Sequence, residues 1–231
     1  LLGHYYMIDF ATKVYCCPET SQMPATVRET KPNVFIGVPR VWEKMYAGVN
    51  AAMAADPEKE QQFNAGVAAA LPIMEKMTAG TATDEEIATW NFLDEVGFKA
   101  IRALIGLDEV EIGISGAAPI PAEILGWFRA IGVPLSEGYG MSETTAVLSW
   151  SAAAKPGYVG RPATGVEMKI AEDGEVLARG GNMFEGYLGL PDKTAESIDN
   201  EGWVHTGDIG IIDDDGYLKI VDRKKELVIT A

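Results

Sequence analysis

The chain has 231 residues, of which 47% are hydrophobic and 23% are charged, and its formal net charge is −15. This length suffices for one large domain or two small ones, and the apolar content excludes general disorder. The acidic balance argues against nonspecific binding to nucleic acid, which needs a basic surface. The net charge does not exclude a nucleotide site, because such a site can be built from local positive charge or backbone N–H groups.

The cysteines and histidines exclude two kinds of structural site. Cys16 and Cys17 are adjacent, which makes them a poor disulfide pair, and His4 and His205 are far apart in the sequence. We therefore expect neither a disulfide framework nor a structural zinc site. No stretch has the roughly 20 apolar residues of a membrane span, and no signal peptide is visible. These features favour the cytoplasm.

The sequence of residues 11–38 predicts a strand, a helix and a second strand. Residues 11–17 (ATKVYCC) and 33–38 (NVFIGV) are rich in β-branched and aromatic residues, which predicts two short strands. The sequence between them, SQMPATVRET, predicts a helix. This order is typical of a βαβ unit with a parallel sheet.

A long helical region follows. A helix is predicted from Pro39, which suits a first helical turn, and the Ala-rich residues 57–80 predict another. Residues 84–107 place Ile87, Trp90, Leu93, Val96 or Gly97, Ile101 and Leu104 on one helical face. We interpret residues 56–107 as a helical insertion within an α/β subdomain.

Two further strands are predicted after this insertion, within residues 110–120 and 133–140, with a helix between them. The segment GYGMSETT therefore follows the C-terminal end of a predicted parallel strand. Ligands bind at that end of the strands in open α/β sheets.

The pattern changes after residue 157. Alternating segments with Asp-Gly at 173–174 and 215–216 predict antiparallel hairpins. The predicted fold class is thus α/β, with a parallel sheet and flanking helices over residues 1–157. An antiparallel β subdomain is predicted over residues 158–231.

Two stretches after predicted strands offer groups for a phosphate or nucleotide ligand. The small residues of SGAAP (115–119) let backbone approach a flat ligand closely, although taken alone the stretch is more typical of an ordinary tight turn. In GYGMSET, Tyr139 is suited to stack on a base, Ser142 and Thr144 to donate to a phosphate, and Glu143 to hold Mg²⁺. The alternative is that Tyr139 belongs to the core and Glu143 is a solvated carboxylate at a helix start.

Two later stretches add polar groups. Asp208 in GWVHTGD has the chemistry to accept hydrogen bonds from both hydroxyls of a ribose, although a Gly-Asp turn needs no function. Arg223 in VDRKKELV is suited to a ribose or phosphate oxygen, whereas a basic triplet is usually a solvated face. We interpret His205 as structural, because nothing near it in sequence resembles a partnered nucleophile.

Taken in order, SGAAPI, GYGMSETT, GEVLARGGNMFEGY, GWVHTGD and DRKKELVIT resemble the AMP-forming acyl-CoA synthetases, within the adenylate-forming enzymes. The segment VPRVWEKMY and the helical insertion resemble the long-chain fatty-acid branch. The resemblance implies that ATP and a fatty acid give acyl-AMP and pyrophosphate. CoA then takes the acyl group and AMP leaves. It also implies Mg²⁺ as cofactor, and peripheral membrane association is an option for the lipid substrate.

The resemblance also assigns roles to residues. Ser142 would contact the α-phosphate and Glu143 would hold Mg²⁺, which makes these two the catalytic pair. Trp42 would line the acyl tunnel, with an ordinary core residue as the alternative. Lys225 would be the hinge to a mobile C-terminal domain, with a solvated hairpin lysine as the alternative. The implied nucleotide-binding residues are Gly116, Ala117, Glu137, Gly138, Tyr139, Gly140, Ser142, Asp208 and Arg223.

The same resemblance implies that this sequence is a fragment. The family's phosphate loop would lie before Leu1, and its C-terminal domain with a catalytic lysine would lie after Ala231. We therefore expect the isolated chain to be inactive. Two alternatives remain: another adenylate-forming ligase, such as a fatty acyl-AMP ligase or an aryl- or amino-acid-activating domain, and a noncatalytic nucleotide-binding module.

Overall fold

The structure is a computed structural model, and it describes residues 11–152 and 155–224. The chain divides into two compact units, Leu1–Ser136 and Glu137–Ala231. The predicted subdomain boundary at residues 157 and 158 falls within the second unit and stays a prediction. None of the helices among the described residues is long and apolar enough to cross a membrane.

The first unit contains the predicted parallel pairing. Strands β1 (Val34–Gly37) and β2 (Ile112–Ser115) run parallel, in register from Val34 opposite Ile112 to Gly37 opposite Ser115. Strand β3 (Leu135–Tyr139) begins at the end of this unit, where the Ser136 hydroxyl donates to the Gly113 carbonyl at 3.4 Å. The α/β fold class predicted for this part is confirmed.

Helices make up most of the first unit, and several begin where the sequence predicts. Pro39 and Pro57 occupy first-turn positions, and Thr83 forms a capping box with Glu86. A five-residue π-helical turn, Asp94–Phe98, follows the fourth helix and precedes the fifth. The helices are α1 (Met23–Thr30), α2 (Pro39–Met53), α3 (Pro57–Ala79), α4 (Asp84–Leu93), α5 (Lys99–Ile105) and α6 (Ala122–Ala130).

The π-helical turn changes which side chains face the core. A π turn adds a residue to the helical repeat, so the apolar face predicted with a constant period of 3.6 residues shifts after it. Ile101 is buried as predicted, but Val96 and Leu104 are 64% and 47% exposed, and Phe98 is buried instead. The prediction that Val96 and Leu104 belong to the apolar face is wrong for this reason.

The strand predicted for residues 11–17 is also wrong. These residues have no regular secondary structure, and Val14 and Tyr15 are 40% and 49% exposed. A strand needs a hydrogen-bonded neighbour, which β-branched composition alone does not supply. The helix predicted after it is present as the short 3₁₀ turn Thr20–Gln22 followed by α1.

The core of the first unit is aromatic. Trp42 of α2 is fully buried, with ring centroids 5.2 Å from Phe35 and 5.1 Å from Phe128 in edge-to-face geometry. Its indole Nε1 donates to the Gly37 carbonyl at 3.3 Å. These contacts join β1, α2 and α6 around one side chain.

The second unit is antiparallel, as predicted. Residues Gly138 and Tyr139 of β3 pair with β4 (Ser149–Trp150), which pairs with β5 (Arg161–Pro162). Among the described residues, four more strands form a sheet in chain order, with turns at the two Asp-Gly dipeptides. They are β6 (Val166–Ile170), β7 (Glu175–Gly180), β8 (Val204–Ile212) and β9 (Leu218–Arg223), with helix α7 (Pro191–Ser197) between β7 and β8.

Two glycines that end helices provide a matched stability test. Gly80 and Gly106 follow α3 and α5 with φ of +69° and +77°. An added Cβ at Gly80 meets nothing within 4 Å, whereas at Gly106 it would lie 2.4 Å from the Arg28 Cα. We expect Gly80→Ala to cost about 1 kcal/mol for the left-handed backbone. Gly106→Ala should cost a further 1–3 kcal/mol, roughly, because backbone must move.

Urea unfolding of the two variants measures this difference. Equal losses of unfolding free energy would contradict the close packing of α1 against the end of α5.

Candidate functional site

Asp208 holds a buried carboxylate on β8. The residue is 5% exposed, and its Oδ1 accepts a hydrogen bond from Arg223 Nε at 3.0 Å. The two residues are direct partners in the β8–β9 ladder, so the strand register brings them together. The Arg223 side chain is 64% exposed, so the ion pair lies between the interior and the solvent.

Tyr139 completes this group from the end of β3. Its phenol donates to Asp208 Oδ2 at 2.5 Å. Burial, followed by the neighbouring Asp208 carboxylate, raises the pKa of the Tyr139 phenol above its ordinary value. The phenol therefore stays protonated and remains a donor at neutral pH. The structure thus brings together Tyr139, Asp208 and Arg223, three residues that the sequence analysis assigned to one site.

Local hydrogen bonds fix the backbone at Asp208. The Thr206 hydroxyl donates to the Val176 carbonyl at 2.8 Å and accepts from the Asp208 N–H at 3.1 Å. Gly207 between them has φ of +74°, in the left-handed region that favours glycine. The sequence Thr-Gly-Asp thus turns the carboxylate towards Tyr139 and Arg223.

The turn after β3 depends on Gly140. An added Cβ at this position would lie 1.9 Å from the Ala146 carbonyl oxygen, so any larger residue would displace backbone. The Thr144 hydroxyl closes the turn by accepting from the Met141 N–H at 3.0 Å. Thr145 and Ala146 have φ of +54° and +78°, which is uncommon for residues with a side chain. Strained backbone of this kind is concentrated at ligand sites in proteins.

Glu143 lies in the short 3₁₀ turn Ser142–Thr144. Its Oε1 accepts a hydrogen bond from the Tyr187 phenol at 2.7 Å, and its carbonyl accepts from the Phe184 N–H at 2.8 Å. Ser142 beside it is exposed. The carboxylate is therefore oriented by a phenol, which the sequence analysis did not foresee.

Asn182 stabilises the turn after β3 by hydrogen bonds to residues 144–147. Its side-chain Nδ2 donates to the Thr144 and Val147 carbonyls at 3.0 Å each, and its own carbonyl accepts from the Thr145 hydroxyl at 2.7 Å. Sequence reasoning assigned no role to Asn182 or Tyr187, although both lie in the quoted stretch GEVLARGGNMFEGY. The signal for Asn182 was its place in that stretch, because Asn beside glycines is typical of a side chain that bonds to backbone.

The predicted site residues of the first unit follow β2. The Gly116 N–H donates to the Gly37 carbonyl at 3.3 Å. Ala117 is exposed with φ of +69°, a second uncommon backbone conformation at a predicted site residue. The hydroxyl of Ser115 just before them is fully buried and has no hydrogen-bond partner among the residues that the structure describes.

The remaining predicted residues are placed as follows. Glu137 is 6% exposed, and Gly138 pairs with Trp150 in the β3–β4 ladder. Trp42 is a fully buried core residue, and its role at an acyl tunnel stays a prediction. Lys225, the predicted hinge, lies outside the described residues. Within residues 11–152 and 155–224, no group of three or more His, Cys, Asp or Glu side chains is arranged to hold a metal ion.

Comparison with known proteins places these residues in a family. Residues 2–188 match the family described as AMP-binding enzyme. The chain is 41% identical, over its whole length, to a putative fatty-acid–CoA ligase, fadD11, of Mycobacterium tuberculosis, and covers 41% of that protein. It is 38% identical to the long-chain-fatty-acid–CoA ligase ACSBG2 of Xenopus laevis, over 89% of this chain and 29% of that one. The chain thus spans at most about two fifths of the length of these relatives.

Two solved structures are similar to part of the chain. ATP-bound MatB from Rhodopseudomonas palustris is 33% identical, with a TM-score of 0.50, over 54% of this chain and 28% of that one. O-succinylbenzoate coenzyme A synthetase (MenE) from Bacillus subtilis, in complex with AMP, is 28% identical with a TM-score of 0.50. That match covers 62% of this chain and 31% of the synthetase. The family match covers most of the chain, and the chain therefore belongs to the AMP-binding enzyme family.

Proposed function

We propose that this chain is part of an ATP-dependent, AMP-forming long-chain fatty-acid–CoA ligase. The observation that carries the proposal is the buried Asp208 carboxylate, held between the Tyr139 phenol and the Arg223 guanidinium. Such a group suits the two hydroxyls of a ribose, because the two oxygens of a carboxylate can each accept a hydrogen bond from a hydroxyl. The names of the relatives supply the acyl substrate class.

The proposed reaction has two steps. In the first, a carboxylate oxygen of the fatty acid attacks the α-phosphorus of ATP, and the bond from that phosphorus to the pyrophosphate oxygen breaks. In the second, the CoA sulfur loses its proton and attacks the acyl carbon, and the bond from that carbon to the AMP oxygen breaks. The first step is needed because a free carboxylate is a poor acyl donor, whereas AMP is a good leaving group.

The residues of the chain hold the nucleotide during both steps. We propose that Asp208 and Arg223 fix the ribose, and that Tyr139 and the strand end around Glu137 and Gly138 form one wall of the adenine pocket. Ser142, which is exposed at the start of its turn, would donate to the α-phosphate. The strained turn after β3 would then place these donors before charge moves, which is how preorganised sites lower a barrier.

Glu143 fits the Mg²⁺ that such a reaction uses. Mg²⁺ is commonly bound by one or two carboxylates together with substrate phosphates, so a single carboxylate is a sufficient protein contribution. The Tyr187 phenol bonds to Oε1 and orients the group. When bound, the ion would neutralise phosphate charge, and Glu143 would hold it beside the turn that carries Ser142.

Other family members remain the second candidate. The MatB and MenE structures show that the fold also occurs in proteins not named as fatty-acid ligases. A noncatalytic nucleotide-binding role is the third. A panel of fatty, aryl and amino acids, with pyrophosphate release and acyl-CoA measured separately, distinguishes the three. Because the relatives are more than twice as long, the assay uses the full-length protein that carries this chain.

Glu143→Gln tests the proposed metal-binding carboxylate. The substitution keeps the shape but removes the charge, so we expect pyrophosphate release to fall at least about a hundredfold, the lower range for losing one preorganised group. Higher Mg²⁺ should restore part of the rate. Glu185→Gln, an exposed carboxylate nearby in the same unit, is the control. Wild-type rates with an unchanged Mg²⁺ requirement would show that Glu143 has no part in metal binding.

Asp208→Asn tests the ribose assignment. A hydrogen bond to a charged group contributes roughly 1.5–3 kcal/mol, so we expect AMP to bind at least about tenfold more weakly. Calorimetric titration of AMP measures the change, with the exposed Asp192→Asn on α7 as control. Unaltered AMP affinity would remove the main support for the proposed function.

Trp42→Phe tests the predicted acyl role without emptying the core. Trp42 is fully buried, so Trp42→Ala would cost about 3–5 kcal/mol of stability and obscure any effect on substrate choice. If the indole shapes the acyl site, Phe should shift the preference towards longer acids and leave the KM for ATP unchanged. Rates that fall equally for short and long acids would identify Trp42 as a core residue only.

A further inference from the structure

Glu175 is a buried carboxylate with no part in the proposed reaction steps. It is the first residue of β7 and is 3% exposed. Its Oε1 accepts from the Gly207 N–H at 2.8 Å, and its Oε2 accepts from Lys224 Nζ at 2.8 Å. One carboxylate therefore bonds to β8 and to the residue that directly follows β9.

The two residues that Glu175 holds are the chain neighbours of the proposed ribose-binding pair. Gly207 precedes Asp208, and Lys224 follows Arg223. The Lys224 N–H also donates to the Gly207 carbonyl at 2.9 Å, so the two neighbours are bonded to each other as well. A displacement of either one would change the angle at which the carboxylate and guanidinium meet.

The charge of Glu175 is maintained by its surroundings. Burial raises the pKa of the Glu175 carboxyl, but hydrogen bonds from Lys224, His205 and the Gly207 N–H outweigh burial and lower it below its ordinary value. His205 Nδ1 lies 3.1 Å from Oε2, and Lys224 is held a second time by Asp173 at 2.6 Å. Glu175 is thus an ionised carboxylate whose partners include the chain neighbours of both Asp208 and Arg223.

We propose that Glu175 is a positioning residue for the nucleotide ribose, acting through Gly207 and Lys224 on the Asp208–Arg223 pair. This inference rests on the proposed function. If Glu175 only stabilised the sheet, its removal would weaken the binding of every nucleotide by the same factor. If Glu175 positions the Asp208–Arg223 pair, its removal should instead weaken binding only of nucleotides that carry the 2′ and 3′ hydroxyls, which are the groups that the pair is proposed to contact.

The experiment compares AMP with 2′,3′-dideoxy-AMP, by calorimetric titration of the full-length protein. The wild type should prefer AMP by at least about tenfold, because a charged acceptor loses its donors with the analogue. Glu175→Gln should weaken AMP about tenfold, the lower range for losing an outer-shell partner at metal sites. The affinity for 2′,3′-dideoxy-AMP should change less than about twofold.

Two further variants keep the test decisive. Lys224→Met removes the same ion pair from its exposed end and replaces Glu175→Gln if that variant does not fold. Glu167→Gln on β6 removes an exposed ion pair with Arg179 from the same sheet and should leave both affinities unchanged.

The outcomes separate the two proposals. If the wild type prefers AMP and the Glu175→Gln and Lys224→Met variants keep that preference, or lose both ligands equally, the positioning role is wrong while the ribose site stands. Equal binding of the two nucleotides by the wild type would overturn the ribose assignment of the proposed function, and this inference with it.

Discussion

The Asp208 carboxylate constrains the strands of the second unit. The residue is only 5% exposed, and a buried carboxylate is stable only with hydrogen-bond donors beside it. The donors come from the end of β3 and from the end of β9. The Tyr139 phenol and the Arg223 guanidinium each bond to one carboxylate oxygen. The Asp208 side chain therefore bonds to residues of β3 and β9, so both hydrogen bonds depend on how these strands lie beside β8. A ligand hydroxyl that approached this group would meet a charge already held in place.

A second set of contacts holds the turn after β3 in an unfavourable conformation. Two consecutive residues with side chains, Thr145 and Ala146, have positive φ angles, which cost about 1–3 kcal/mol each. Asn182 bonds to three backbone or hydroxyl groups around them, and Tyr187 bonds to Glu143. Strain persists in proteins only where several contacts determine the same conformation. Here those contacts come from a loop nearly forty residues further along the chain.

Much of the fold was predictable because its signals are local. Pro39 and the two Asp-Gly dipeptides each determine one element, and the structure confirms these elements. The errors occurred where the outcome depends on non-local structure. Residues 11–17 have strand composition without a strand neighbour, and the π-helical turn after Leu93 shifts a face that a fixed period cannot follow.

The candidate site divides in the same way. Tyr139, Asp208 and Arg223 were named from their motifs, but their contact depends on the β8–β9 register and on the path of β3. Glu175 and Tyr187 gave no comparable signal, since a lone Glu at the start of a strand or a Tyr in a loop is common in any protein. Their importance comes from partners that are distant in sequence, and only the folded chain shows them.

Strand β1 has a consequence for how the polypeptide behaves in solution. Its alternating residues Val34 and Ile36 are each 44% exposed, and β2 is its sheet neighbour in the part of the chain that the structure describes. A strand edge with exposed β-branched side chains can pair with the same edge of another molecule. The net charge of −15 opposes such contact by mutual repulsion, which salt screens. Colloidal stability of the isolated polypeptide should therefore fall as ionic strength rises.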